Sequence, residues 1–146
     1  MKTNEGAMDL ALLCIRLALG AVFIVHGAEK LFPGLMGGEG MAKFTEEVAK
    51  MEIPAPQAMA YLAAISEFGG GILVLLGLFA RIGGLAIAGV MIVAIVKVHL
   101  KNGFLLKNNG CEYQVALLSM ALAVAIAGEG RIGLGALMGR KKKAEG

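Results

Sequence analysis

Residues 57–100 read QAMAYLAAISEFGGGILVLLGLFARIGGLAIAGVMIVAIVKVHL, and the fold follows from how little interrupts them. The formal charges in this stretch are Glu67, Arg81 and Lys97. Two apolar runs, about 57–80 and 82–100, meet at Arg81. Each is close to the ~20 residues that carry a helix across a ~30 Å hydrocarbon core. A helix satisfies its own backbone hydrogen bonds, which is what a bilayer demands. With Arg81 alone between them, the two runs are expected to form a tight hairpin of antiparallel helices.

Two further apolar stretches flank this pair, about 9–32 and 112–128, the last being the shortest. Pro33 and Gly34 stop the first, and the turn Gly37-Gly38-Glu39-Gly40 follows. Over residues 41–51, Met41, Phe44, Val48 and Met51 recur at helical spacing against Lys43, Glu46, Glu47 and Lys50. That pattern predicts a short amphipathic helix lying on the interface, or an ordinary surface helix packed on the loops. Pro54 and Pro56 suit the entry to the second span, since proline is favoured at a helix start. The expected architecture is all-α: a transmembrane four-helix bundle, one membrane domain over residues 1–146, with a basic tail at 138–146.

Composition points the same way. Hydrophobic residues make up 58% of the 146 and charged residues 17%, with mean hydropathy +0.75. A soluble domain is ~45–50% apolar and ~25% charged. A chain this short cannot hide the surplus inside a water-facing shell. A soluble enzyme domain, a disordered tail and a nucleic-acid-binding module are therefore excluded, and the first partner is the lipid bilayer.

The net charge of +3 comes mainly from Arg140, Lys141, Lys142 and Lys143, a run suited to anionic lipid. Cys14 and Cys111 form neither a CxxC motif nor a metal-ligand spacing. With Arg16 interrupting it and Glu5 and Asp9 before it, the first span is expected to be a retained helix and not a cleaved signal peptide. Four spans put both termini on one side, and cations favour the cytoplasm. Lys2, Arg81, Arg131 and the tail then face inward, while Lys30, Lys43, Lys50, Lys101 and Lys107 face outward. The expected location is the bacterial inner membrane, multi-pass, with both termini cytoplasmic.

Ionisable groups inside spans are costly and mark candidate functional sites. Here they are Arg16, His26, Glu29, Lys30, Glu67, Lys97, His99 and Glu112, all but Arg16 in the outer half. At the helical rise, Glu67 lies about 15 Å from the outer end of its span and His26 about 9 Å from the end of its own. A short carboxylate near the midplane must be protonated, hydrogen-bonded or paired. By depth His26 is its nearest basic partner, with Arg16 reaching up from the inner side. Phe23, His26, Gly27 and Lys30 share a face, although snorkelling to the headgroups is the simpler expectation for Glu29 and Lys30. Lys97 and His99 point to nearly opposite sides, and His99 is expected inside.

His26 and His99 differ in estimated depth by about 7–8 Å, which disfavours a bis-histidine haem. A metal site built from His26, Glu29, Glu67 and His99 ranks equally low, so no metal is assigned. Gly20 and Gly27, like Gly70 and Gly77, are one heptad apart, and Gly69-Gly70-Gly71 follows Glu67. Small residues let membrane helices approach closely, so a tight helix pair is expected around Glu67.

Several of these residues together resemble the DoxX family of membrane proteins. The resemblance runs through Arg16-Leu17, His26-Gly27-Ala28-Glu29-Lys30-Leu31-Phe32 and Glu67-Phe68-Gly69-Gly70-Gly71. It continues in Leu76-Gly77-Leu78-Phe79-Ala80-Arg81, Val98-His99, Asn102-Gly103-Phe104, Glu112-Tyr113 and Gly128-Glu129-Gly130-Arg131. It implies a four-helix integral membrane protein related to oxidoreductases and to the small subunit of a thiosulfate:quinone oxidoreductase. It also places Arg16, His26, Lys30, Glu67, His99 and Glu112 at the family's polar landmarks.

The function expected from residues and resemblance together is a membrane subunit of a redox complex that meets quinone or another lipophilic carrier. Glu67 and His26 would be the catalytic proton-exchanging pair, and Arg16, Lys30, His99 and Glu112 would bind the carrier. A redox partner subunit would hold the electron-bearing cofactor, and a homo-oligomer is compatible. The alternative is a non-enzymatic membrane scaffold or assembly factor, with a small transporter third.

Overall fold

The computed structural model describes residues 5–35 and 37–144, with side chains described through residue 139. Among the described residues six α-helices follow one another: α1 Glu5–Leu31, α2 Gly40–Lys50, α3 Pro56–Leu76, α4 Ala80–Ala94, α5 Glu112–Ala127 and α6 Leu134–Ala144. Past Ala94 the α4 rod widens into a π-helical turn, Ile95–His99, and closes with a 3₁₀ turn to Asn102. Among the described residues there is no strand. The protein is all-helical, as the apolar periodicity requires.

Glu5–Leu31, Pro56–Leu76 and the composite rod Ala80–Asn102 are each long and apolar enough to cross a membrane. The fourth apolar helix, α5, has 16 residues and is shorter; at the helical rise it spans ~24 Å. Three long apolar helices and a shorter fourth make this a multi-pass membrane protein. Large apolar side chains such as Ile65, Ile82 and Ile126 face outward, where acyl chains are their solvent.

The hairpin between α3 and α4 differs from expectation. Arg81 lies in the first turn of α4, and Gly77, Leu78 and Phe79 make the turn. Gly77 takes a left-handed φ of +63°, which glycine adopts without steric cost. Its N–H donates to Val74 O at 3.2 Å, and Leu78 N–H donates to Leu73 O at 3.0 Å. This is a Schellman closure, and it satisfies carbonyls that the helix end would otherwise leave open. At the other end of α3, Pro56 opens the helix after Ala55, which is also left-handed (φ +52°). Part of the expected tail is helical as α6, while the side chains of Arg140 to Lys143, and Lys2, lie outside the described residues.

Helix α1 packs most extensively on α3, and α4 packs on both α3 and α5. Glycines set how closely α1 and α3 approach. A Cβ on Gly27 would fall 2.5 Å from Phe68 N, and one on Gly20 would fall 2.7 Å from Leu75 Cβ. Leu19, Phe23, Val74, Ile87, Leu117 and Val124 fill the core among the four apolar helices. Because Gly27 meets Phe68, about two turns of α3 project beyond the end of α1. Helix α2 packs on α3 and α1, with Val48 buried. Its amphipathic face is therefore used against the bundle.

Candidate functional site

The site begins with a charge that α3 cannot leave alone. Glu67 is buried, with its side chain 6% exposed, on a helix whose other residues are uncharged. An unpaired carboxylate there would carry a heavy desolvation cost. The Lys30 ammonium, from the last turn of α1, donates to Glu67 Oε2 and forms an ion pair with it. The close approach at Gly27 brings the two backbones near enough for this contact. Phe32 and Phe68 pack edge to face at 5.4 Å beside it. From α2, the Phe44 ring lies under the ammonium, 4.7 Å from nitrogen to centroid, a cation–π contact.

Glu67 stands in the wall of an apolar cavity of about 350 Å³ between α2, α3 and α4. Phe44, Leu62, Ala63, Val90, Met91 and Ala94 are among its lining residues, and Glu67 is the charged residue of that lining. On the other side of Phe44 is a second, polar cavity of about 390 Å³, bordered by Glu29, Lys30, Glu39, Lys43 and Glu47 and by the glycine turn. There Lys43 pairs with Glu39, and its ammonium titrates above the usual lysine value, chiefly through that hydrogen bond. Acid and base of the buried pair thus belong to different compartments.

Other candidates fall elsewhere. His26 does not hydrogen-bond Glu67; it is half exposed and meets Glu29, with Nδ1 to Oε2 at 3.5 Å. Phe23, Gly27 and Lys30 turn toward α3, so the expected shared face loses His26. Arg16 is buried at the opposite end of the bundle and does not reach Glu67. Its Nε donates to Val74 O at 2.9 Å, Nη2 to Leu75 O at 3.2 Å and Nη1 to Glu129 O at 2.5 Å. The guanidinium ties the end of α3 to the loop after α5, a set of carbonyls that its forked donors can serve together.

His99 is partly buried and Lys97 exposed. His99 Nδ1 lies 3.0 Å from Asn109 O, and Nε2 lies 3.0 Å from Gln114 Nε2. With Nδ1 protonated toward the carbonyl, Nε2 accepts from the amide. The pair closes the loop between the α4 rod and α5. Glu112 opens α5, where an acidic side chain complements the helix dipole, and its N–H donates to Phe104 O at 2.9 Å. Neither His99 nor Glu112 borders the apolar cavity. Among the described residues no three His, Cys, Asp or Glu side chains gather as a metal set.

Sequence reasoning did not single out Phe44 as a site residue. Its signal was available in the amphipathic repeat, which turns Phe44 and Val48 to one face, but the partner of that face was not.

Comparison with known proteins adds independent support. The sequence model of the DoxX family matches residues 11–100. The chain is 31% identical over 137 residues to the Bacillus subtilis (strain 168) protein named "Putative oxidoreductase CatD", covering 94% of this chain and 93% of that one. It is 33% identical over 76 residues to "Inner membrane protein YphA" of Escherichia coli (strain K12), covering 52% of this chain and 49% of that protein. No solved structure matches the chain.

Proposed function

The chain belongs to the DoxX family, and we propose that it is the integral membrane subunit of a redox complex, taking a quinone or another lipophilic carrier into the apolar cavity beside Glu67. One observation carries this reading: an apolar cavity whose lining holds one charged side chain, itself paired to an ammonium. Small-molecule sites are concave, mostly apolar, ~300–1,000 Å³ in volume, and carry few polar groups that fix orientation. A quinone matches that description. Its ring and tail suit methionine and aliphatic walls, while its oxygens call for a donor and an acceptor at one point. Glu67 in the cavity wall serves both, accepting from a quinol hydroxyl as carboxylate and donating to a quinone oxygen when protonated.

Glu67 is the group that orients the carrier and exchanges its protons, and Lys30 pairs with it from the polar side. Arg16, His99 and Glu112 hold helix ends and the outer loop, and His26 with Glu29 makes a separate exposed pair. The electron-bearing group belongs to a partner subunit. The name of the Bacillus subtilis relative supports a redox role, and that of the Escherichia coli relative supports the inner membrane. The distribution of cations supports termini on the cytoplasmic side.

Equilibrium binding of a short-chain quinone analogue to nanodisc-embedded protein tests the reading. Saturable binding that weakens at least tenfold in Glu67→Gln is the expected result. No binding by wild type would contradict it and favour a scaffold role. That second reading draws on the pair's position in the broad α1–α3 interface, where its loss would lower stability and partner recovery alone.

A further inference from the structure

Two cavities meet at one partition, and the ion pair crosses it. Glu67 borders the apolar cavity and Lys30 the polar one, while Phe44 borders both. Lys30 and not Glu67 lines the polar side, and its side chain is the more exposed of the two, 19% against 6%. The Phe44 ring, 4.7 Å from the ammonium, closes the gap beside it.

We infer that Lys30 is the proton conduit of this site: Glu67 exchanges protons with water through Lys30 and the polar vestibule, not through the apolar cavity. The inference rests on the reading that Glu67 serves a carrier in that cavity, and it adds the route and its direction. A proton delivered from the apolar side neutralises the Glu67 carboxylate. The Lys30 ammonium gives one proton to vestibule water, and the resulting amine takes the proton from the Glu67 carboxyl. One proton crosses the partition and the ion pair is restored. The charged groups facing Lys30 across the vestibule are Glu29 on α1, Glu39 before α2, and Lys43 and Glu47 on α2. From α3 the facing group is Glu67 itself, and the cavity lining contributed by α4 is uncharged. Three carboxylates against one further lysine give the vestibule a net negative charge, which holds the released proton near the polar side while water carries it away.

Infrared hydrogen–deuterium exchange of the Glu67 carboxyl in nanodiscs tests this, read in the Lys30→Met background, where the band is identified by its loss when Glu67→Gln is added. In Lys30→Met the carboxyl has no ammonium partner and is neutral, since an unpaired charge in an apolar wall is costly. Its exchange after mixing with D₂O is expected to be at least tenfold slower in Lys30→Met than in Lys30→Met/Phe44→Ala, where the vestibule is opened onto it. Equal rates in the two variants would overturn the inference. A second measurement needs no variant: a water-soluble amine reagent should modify Lys30 in the wild-type protein, and a lipophilic carbodiimide should modify Glu67. A Lys30 untouched by the water-soluble reagent would also overturn it. Quinone-analogue binding is read separately. Exchange as expected without binding removes the carrier and leaves the route, and binding with equal exchange rates removes the route alone.

Discussion

Lys30 of α1 and Glu67 of α3 pair across a wall, the base bordering a polar cavity and the acid an apolar one. The contact fastens two helices whose backbones are brought together by glycine, and it puts the acid of an acid–base couple where a lipophilic molecule has room. Each consequence can be measured.

The pair should be energetically coupled. Removing one partner from a buried ion pair costs about 3–5 kcal/mol, while replacing both is far milder. Lys30→Met is expected to destabilise the protein in mixed micelles by about 3 kcal/mol, and Glu67→Gln added to it should recover part of that loss. A double-mutant cycle with coupling below about 0.5 kcal/mol would mean that the two groups act independently.

Glycine positions on α3 and α1 should behave in opposite ways. Gly27→Ala places a methyl 2.5 Å from Phe68 N and should lower stability by about 1–3 kcal/mol. At Gly69 a Cβ meets nothing within 4 Å, so Gly69→Ala should be neutral or stabilise by up to about 1 kcal/mol through helix propensity. Thermal unfolding of the two variants side by side decides the matter; equal losses would contradict the packing described.

Arg16 should matter to the fold and not to carrier binding. Lysine cannot serve three separated carbonyls with one ammonium. Arg16→Lys is expected to cost about 2–3 kcal/mol, since hydrogen bonds to charged groups contribute about 1.5–3 kcal/mol each and part is retained. Quinone-analogue affinity, measured on the folded fraction, should stay within twofold of wild type.

Filling the cavity should block it without disturbing the helices. Gly89 borders the apolar cavity, and a Cβ there meets nothing within 4 Å. Gly89→Leu should leave the unfolding temperature unchanged and weaken binding of the analogue at least tenfold. Unchanged affinity would place the carrier elsewhere.

How much of this could be read from letters varies by residue. Residues 57–100 contain the α3–α4 hairpin because lipid demands long, uninterrupted apolar helices, and few other folds tolerate such a run. Glu67 was legible as a buried acid for the same reason. Its partner was not. Depth counted from span ends assumes that the ends are level, and that assumption selected His26. Helix α3 begins about two turns beyond α1, so the level of Glu67 shifts toward the end of α1 and meets Lys30.

Snorkelling was the simpler expectation for Lys30, and it fails because α2 folds back over this end. Phe44 lies against the ammonium and the vestibule glutamates supply its polar surroundings. Arg16 illustrates the other limit. A buried arginine reaching up from the inner side suggests attraction to a buried glutamate, but its fourteen-residue separation from Lys30 is ~21 Å along a helix. Its carbonyl partners come from α3 and from the loop after α5, and no local pattern announces such long-range contacts.

Site mapping with a photoreactive quinone analogue is the most direct test of the central claim, that the apolar cavity beside Glu67 receives a lipophilic carrier. Nanodisc-embedded wild-type protein would be irradiated with the bound analogue and the adducts located by mass spectrometry. Label concentrated on the cavity lining of α2, α3 and α4, near Phe44, Leu62 and Val90, and abolished by Gly89→Leu, is the expected result. Label spread over lipid-facing positions such as Ile126 of α5, and unchanged in that variant, would contradict the account.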